Sequence, residues 1–289
     1  MLRFTQAGVV ASPTTVQIRL TRSLPGRLPA GAPEPTRDLS IDEVRENLHY
    51  FVEELKGPRT RPVSTAVLSG VSLGQVHGLA GVMISAKKNG IRRFVLHFSG
   101  EAAGANSALL TSADAVSMVV RHPEDVPTLR TVRHRVSALS VVVPVDHNTL
   151  SHLADLTRSI CEAAPDRVVF TWPLSGDPPP HAHLARQALE GAVAVARATP
   201  VRLNVKGLPA CALGSLASLA SRTANRWYVD AEHQKAEAML FFPDMMRFAR
   251  GDVCRFCSVQ GDCDGAPAAW LQQGLVGPLQ ALDHLPPSA

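Results

Sequence analysis

No cysteine precedes position 161 in this chain of 289 residues, and the total of five is odd. The apolar part of residues 1–10 is too short for a signal peptide. A disulfide framework is therefore not expected, and a reducing, cytoplasmic setting is. Aromatic residues make up only 5% of the chain, too few to suggest a base-stacking surface. Lys plus Arg number 29 against 25 Asp plus Glu, a formal net charge of +4. No block of five like charges occurs, so no nucleic-acid-binding tail is expected. No apolar run reaches the roughly 18 residues that a membrane-crossing helix needs. Gly-x-Gly-x-x-Gly, the phosphate-binding P-loop and the Gly-x-Ser-x-Gly elbow are also missing, so three common cofactor and nucleophile motifs give no lead.

What is present is the composition of a globular protein, 45% apolar and long enough to bury a substantial core. Strand-like and helix-like segments alternate. Val16–Thr21, Val63–Leu68, Phe94–Phe98, Val116–Val120, Leu139–Val145 and Val168–Trp172 read as strands, with Val201–Val205 as an extra one. Ser40 with Glu43 forms a capping box ahead of Val44, Leu48, Phe51, Val52 and Leu55 at helical spacing. Helices are also expected over about Gln75–Lys88, stopped near Gly90, and over Leu150–Ala163 and His183–Ala198. Repeated β–α units imply parallel strands with right-handed crossovers. Six units fall short of a closed eight-stranded barrel, so a partial barrel or a wide open α/β sheet fits. The short, mostly apolar strands suggest a sheet covered on both faces. After about Leu208 the rhythm breaks, and residues 208–284 read as an appended extension to a barrel over 14–207.

That extension carries the strongest chemical signal. Cys254-Arg-Phe-Cys257 is followed five residues later by Cys263, and Cys211 lies upstream. A C-x2-C turn aims two thiolates at one metal, and Asp264-Gly265 lets Cys263 turn back to the same centre. Four thiolates suit zinc or an iron–sulfur cluster equally. Cys161 lies among apolar residues and reads as a small buried hydrophobe.

The chain resembles radical S-adenosylmethionine (radical SAM) proteins, whose strand–helix order is a partial (β/α)6 barrel. Members carry C-x3-C-x2-C after the first strand, holding a [4Fe–4S] cluster that binds S-adenosylmethionine. At that spacing after Ile18-Arg19-Leu20-Thr21 stand Ser23, Arg27 and Ala30. The family's Gly-Gly-Glu-Pro-like turn after the second strand is matched by Ser69-Gly70-Val71-Ser72, which keeps one glycine, Gly70, and neither the acid nor the proline. Asn89–Leu96 looks like the third-strand entry, and Arg167–Gly176 is similar to the sixth strand and its loop. Cys211, Cys254, Cys257 and Cys263 match the cysteine-rich extensions of peptide-maturing members, where such a set surrounds an auxiliary cluster.

The resemblance implies a radical-SAM-like barrel that has lost its radical chemistry. Ser23 is a poor iron ligand, Arg27 has no acceptor atom and Ala30 has no donor at all. S-adenosylmethionine binding is not carried over to these degenerate positions. The implied role is an accessory or binding subunit, working in a heterodimer with an active radical SAM enzyme, with the peptide it modifies, or with both. Nucleic acid and membrane are not among the expected partners. The implied cofactor is an auxiliary [4Fe–4S] cluster, with zinc as the alternative. Two rivals stand beside this reading: an active enzyme with a rearranged cluster site, and a zinc-stabilised binding scaffold.

Other residues read as structural. His181 and His183 follow prolines at a helix start. His147 and His152 sit near the surface start of another. Asp230 and Glu232-His233 are expected on an exposed polar helix. Leu240-Phe241-Phe242 with Met245 and Met246 is expected to pack beneath the metal site.

Overall fold

The structure, a computed structural model, describes residues 12–21, 36–55, 61–70, 73–98, 107–174, 176–241 and 248–283, with residues 4, 5, 8, 9 and 241 described by backbone alone. Ser23, Arg27 and Ala30 lie outside the described residues, as do Val71, Ser72, Ser99, Gly100, Phe242, Met245 and Met246.

Seven β–α units form in the order the alternation predicts. The strands are β1 (Thr15–Arg19), β2 (Thr65–Gly70), β3 (Arg93–Phe98), β4 (Ala115–Val119), β5 (Leu139–Pro144), β6 (Arg167–Thr171) and β7 (Arg202–Lys206). Between them run α1 (Ile41–His49), α2 (Leu79–Lys88), α3 (Ser107–Ser112), α4 (Val126–Arg133), α5 (Leu153–Glu162) and α6 (Ala182–Ala196). After a short α7 (Ala210–Leu213) come β8 (Arg226–Val229) and β9 (Met239–Phe241). These nine strands make one sheet in the order β9-β8-β1-β2-β3-β4-β5-β6-β7. All pairings are parallel except β8 with β9. The fold is α/β, built on one mostly parallel sheet of nine strands.

Local chemistry explains the elements. The Ser40 hydroxyl accepts the Glu43 N–H while the Glu43 carboxylate accepts the Ser40 N–H, so α1 starts where the capping box puts it. Its last turn continues as a π-helical turn over Tyr50–Glu54. Gly90 has φ of 123°, the left-handed stop after α2. Helix α4 was not expected from the sequence. Its pattern of Val126, Leu129 and Val132 is short, and Pro127 sits where proline is tolerated, in the first turn.

The extension is built onto both edges of this sheet. Val205 in β7 bridges Ala220, and six residues later Arg226 opens β8 beside β1. Six residues reach at most about 20 Å. The sheet therefore curls until its β7 edge approaches β8, the strand next to the other edge, across the segment 221–225. Trp227 leans on Phe51 of the π-helical turn with ring centroids 5.8 Å apart. The Asn47 amide, fully buried, donates to Glu43 O and Gln234 Oε1, and its carbonyl oxygen accepts the Lys235 N–H. Further on, Phe248–Ala249 pairs with Ala266–Pro267, and α8 (Ala268–Gln272) places Trp270 to donate to Pro173 O at 2.8 Å.

The residues Asp230–His233 form a tight turn and no helix, and Asp230 is fully buried rather than exposed. Its Oδ1 accepts the backbone N–H groups of Glu232 and His233 and faces His233 Nδ1 at 2.8 Å. A short carboxylate that ties up its own following N–H groups favours a turn over a helix.

Candidate functional site

The two faces of the sheet differ in a way the apolar look of the strands did not suggest. Residues in register point to the same face. On the helix-covered face, Ile18, Leu68, Leu96, Val116 and Leu139 lie side by side, all buried. On the other face one row crosses seven strands as Arg19, Ser69, His97, Ser117, Ser140, Arg167 and Arg202. Lys206 shares the side of Arg202 on β7, and Tyr228 and Arg226 share the side of Gln17 and Arg19 through the β8–β1 register. The sheet is therefore apolar outside, and the hollow inside its curl carries this polar row beside Val67, Val95, Val142 and Val169.

Several of these groups interact. His97 Nδ1 faces Ser117 Oγ at 3.1 Å, and Gln17 donates to Ser69 Oγ at 3.4 Å. Arg19 is only 3% exposed. It donates through Nε to Thr21 O and through Nη1 to the Tyr228 hydroxyl, while its Nη2 has no partner among the described residues. Burial pushes the Tyr228 phenol up to about 12, against the pull of Arg19. Lys206 is pushed down by burial and by the nearby cations Arg226 and Arg167, with Asp264 pulling the other way. Burial also lowers Arg226. The Nε atoms of Arg167 and Arg226 have no partner among the described residues.

At the mouth of the hollow, Gly70 ends β2 directly against Thr21. A Cβ on residue 70 would collide with the Thr21 hydroxyl and lie 3.1 Å from the Thr21 nitrogen. Gly70 is thus explained by close packing with the start of the loop after β1. That loop cannot supply a thiolate, because no cysteine precedes Cys161. The residues present there do not fit a cysteine-held iron–sulfur cluster.

Of the cysteines, Cys161 is buried on α5, as expected, and burial raises its thiol pKa. Cys211 sits on α7, Cys254 in a 3-10 turn over Asp252–Phe256, Cys257 directly after it, and Cys263 ahead of Gly265. Burial raises the Cys211 thiol, an N–H from Gln280 lowers it, and the neighbouring Cys263 and Cys254 raise it again. Cys263 Sγ accepts the N–H groups of Ala210 at 3.5 Å and Gly265 at 3.3 Å. Gly265 has φ of 93°, and a Cβ there would strike Ala249 O. Cys257 and Cys263 pack on one small apolar cluster with Ala210, Ala217 and Val259. Among the described residues no group of three or more His, Cys, Asp or Glu stands in position to hold a metal ion. The soft donor set and the two N–H bonds to Cys263 fit a thiolate centre chemically.

The remaining candidates make local contacts. His181 caps α6 and its ring lies 5.7 Å from that of His183. His152 Nε2 faces Arg121 O at 3.4 Å. Leu240 lies in β9, partly exposed. Sequence reasoning missed Arg19, Lys206, Arg226 and Tyr228. The available signal was polar residues alternating with apolar ones inside strands, as in Gln17-Ile18-Arg19 and Asn204-Val205-Lys206.

No protein-family model matches the chain, and no curated protein matches it. Among solved structures it is similar to Streptococcus suis SuiB bound to S-adenosylmethionine, with a TM-score of 0.56 and 9% identity over 91% of this chain and 75% of that one. It is also similar to SuiB bound to its precursor peptide SuiA, with a TM-score of 0.52 and 9% identity over 71% of this chain and 51% of that one. The chain thus spans about half the length of peptide-bound SuiB. At this identity the likeness is one of fold, and the fold is radical-SAM-like.

Proposed function

We propose that this chain is a catalytically degenerate radical-SAM-like protein that serves as an accessory or binding subunit in the maturation of a peptide or small natural product. One observation carries the reading: the loop after β1 holds Ser23, Arg27 and Ala30 at the family's ligand spacing, and no cysteine occurs before Cys161 to replace them. An iron site open to S-adenosylmethionine needs thiolate donors that this loop lacks. The cations on the polar face also make a poor seat for a sulfonium group.

The partner is an active radical SAM enzyme, the peptide that such an enzyme modifies, or both, in the cytoplasm. The precursor peptide held by the fold neighbour SuiB supports the peptide part. Among the described residues no helix is long and apolar enough to cross a membrane. In this reading residues 14–207 form the barrel and 208–284 the extension. Cys211, Cys254, Cys257 and Cys263 hold one centre there, a [4Fe–4S] cluster that supplies structural cross-linking or electron transfer. Zinc is the alternative occupant, since the same four sulfur donors suit it.

The test is reductive incubation of the chain alone with S-adenosylmethionine after anaerobic reconstitution with iron and sulfide. No cleavage of the cofactor is expected. Cleavage by the chain alone would overturn the reading, and its loss in a variant with all four extension cysteines changed to alanine would assign it to a rearranged site in the extension.

A further inference from the structure

The hollow of the sheet gathers more positive charge than it pairs. We infer that the polar face between β7 and β8 is a binding site for a small oxyanion, a phosphate or carboxylate group held by Lys206, Arg226 and Arg167, with Arg19 and Tyr228 alongside. This inference does not depend on the proposed function.

The topology brings these groups together from opposite ends of the sheet. Lys206 ends the strand at one edge, and Arg226 begins β8 at the other side. The bridge from Val205 to Ala220 and the short span to Arg226 hold β8 close to the β7 edge. Arg167 lies on the same side of the adjoining strand β6, opposite Arg202 and four residues from Thr171, the partner of Lys206, and its charge reaches Lys206 along that face. Tyr228 continues the band from Arg226 to Arg19.

Charge bookkeeping then points to a missing anion. The carboxylate that faces Lys206 is Asp264, which is buried. Its Oδ2 already accepts the Thr223 N–H at 2.8 Å, and Arg222 Nε lies 3.7 Å from its Oδ1. One shared carboxylate does not neutralise these three half-buried cations. Like charges held together partly out of water repel one another, and an unpaired buried N–H adds to the cost. The Nε of Arg167, the Nε of Arg226 and the Nη2 of Arg19 have no partner among the described residues. Guanidinium groups with free N–H donors match the planar or tetrahedral oxygens of carboxylate and phosphate, and Lys206 adds a point charge.

The experiment is thermal unfolding of the full chain in sodium phosphate, sodium citrate or sodium chloride at equal ionic strength. Phosphate or citrate at about 10 mM should raise the midpoint by about 5 °C over chloride. A rise with phosphate alone names a phosphate ligand, and a rise with citrate alone names a carboxylate. Lys206→Met and Arg226→Met should each raise the midpoint in chloride, because a repelled charge is removed, and should lose the anion-dependent rise. Arg45→Met, on the exposed face of α1, should keep it. A second measurement needs no variant: phenylglyoxal labelling mapped by mass spectrometry, in which the effective anion should protect Arg167 and Arg226 and leave Arg45 unprotected. No rise with either anion, a rise kept in Lys206→Met, or equal labelling with and without anion would overturn the site.

Discussion

The side-chain hydroxyl of Thr21 occupies the place that a Cβ on Gly70 would take. Two segments far apart in sequence thus meet at the mouth of the hollow, where β1 ends and β2 ends. Gly70 is retained for packing, with its backbone in an ordinary conformation. Gly70→Ala should therefore cost about 1–3 kcal/mol through overpacking. Thr21→Gly should recover most of that loss in the double variant, as a non-additive term in a thermal or urea double-mutant cycle. Additive losses would show that the two residues do not touch.

Asn47 ties the first helix to the turn that precedes β9. Asn47→Ala leaves the Lys235 N–H without its acceptor and removes the two bonds that the amide donates. A loss of about 2–3 kcal/mol is expected. Chemical denaturation with an unchanged slope would assign it to stability rather than to a changed unfolded state.

Tyr228 gives the polar face a pH signature. Its phenol is raised from 10.0 to about 12, chiefly by burial. A raised acid keeps its proton in the folded state after the unfolded chain has released it. Stability should therefore fall as the pH climbs from about 10 to about 12. Phenolate absorbance should show a late step near pH 12 that vanishes in Tyr228→Phe, and the same variant should flatten the alkaline loss of stability. A late step that survives the substitution would place the buried phenol elsewhere.

The capping box of α1 provides an acid counterpart. Glu43 is held well below the usual carboxylate range, first by its ion pair with Arg37 and further by Gln234 and Ser40, against the effect of burial. A depressed carboxyl stabilises the fold above the unfolded value of 4.5, and that contribution is lost as the pH falls through its folded value. Ser40→Ala should cost about 1 kcal/mol at neutral pH. Glu43→Gln should flatten the decline of stability below about pH 4.5 in an acid titration followed by circular dichroism.

Ser40 and Glu43 also show what the sequence conveys well. A cap is a local device, and so is the run of β-branched residues in each strand, so the parallel α/β order and most element positions follow from nearest neighbours. The polar hollow is a tertiary fact. Arg19, Arg167, Lys206 and Arg226 lie on different strands, and only the register puts them on one face. Asp230 misleads for a related reason: in the sequence Asp230-Ala-Glu-His233 looks like solvated charge, whereas its carboxylate is buried by bonding its own turn. The cysteines announce themselves by spacing, yet spacing does not say how closely they converge. Cys257 and Cys263 pack on one apolar cluster, while among the described residues no three of the cysteines stand in position to hold one metal ion.

The central claim is a barrel without its catalytic cluster, joined to one thiolate centre in the extension. Iron, sulfide and zinc counted per chain after anaerobic purification, beside a variant with Cys211, Cys254, Cys257 and Cys263 all changed to alanine, test it most directly. About four irons and four sulfides, absent from the variant, are predicted. One zinc without iron would replace the cluster with a structural clasp. About eight irons in the wild-type chain would mean a second cluster held without the usual thiolates, and would contradict the account.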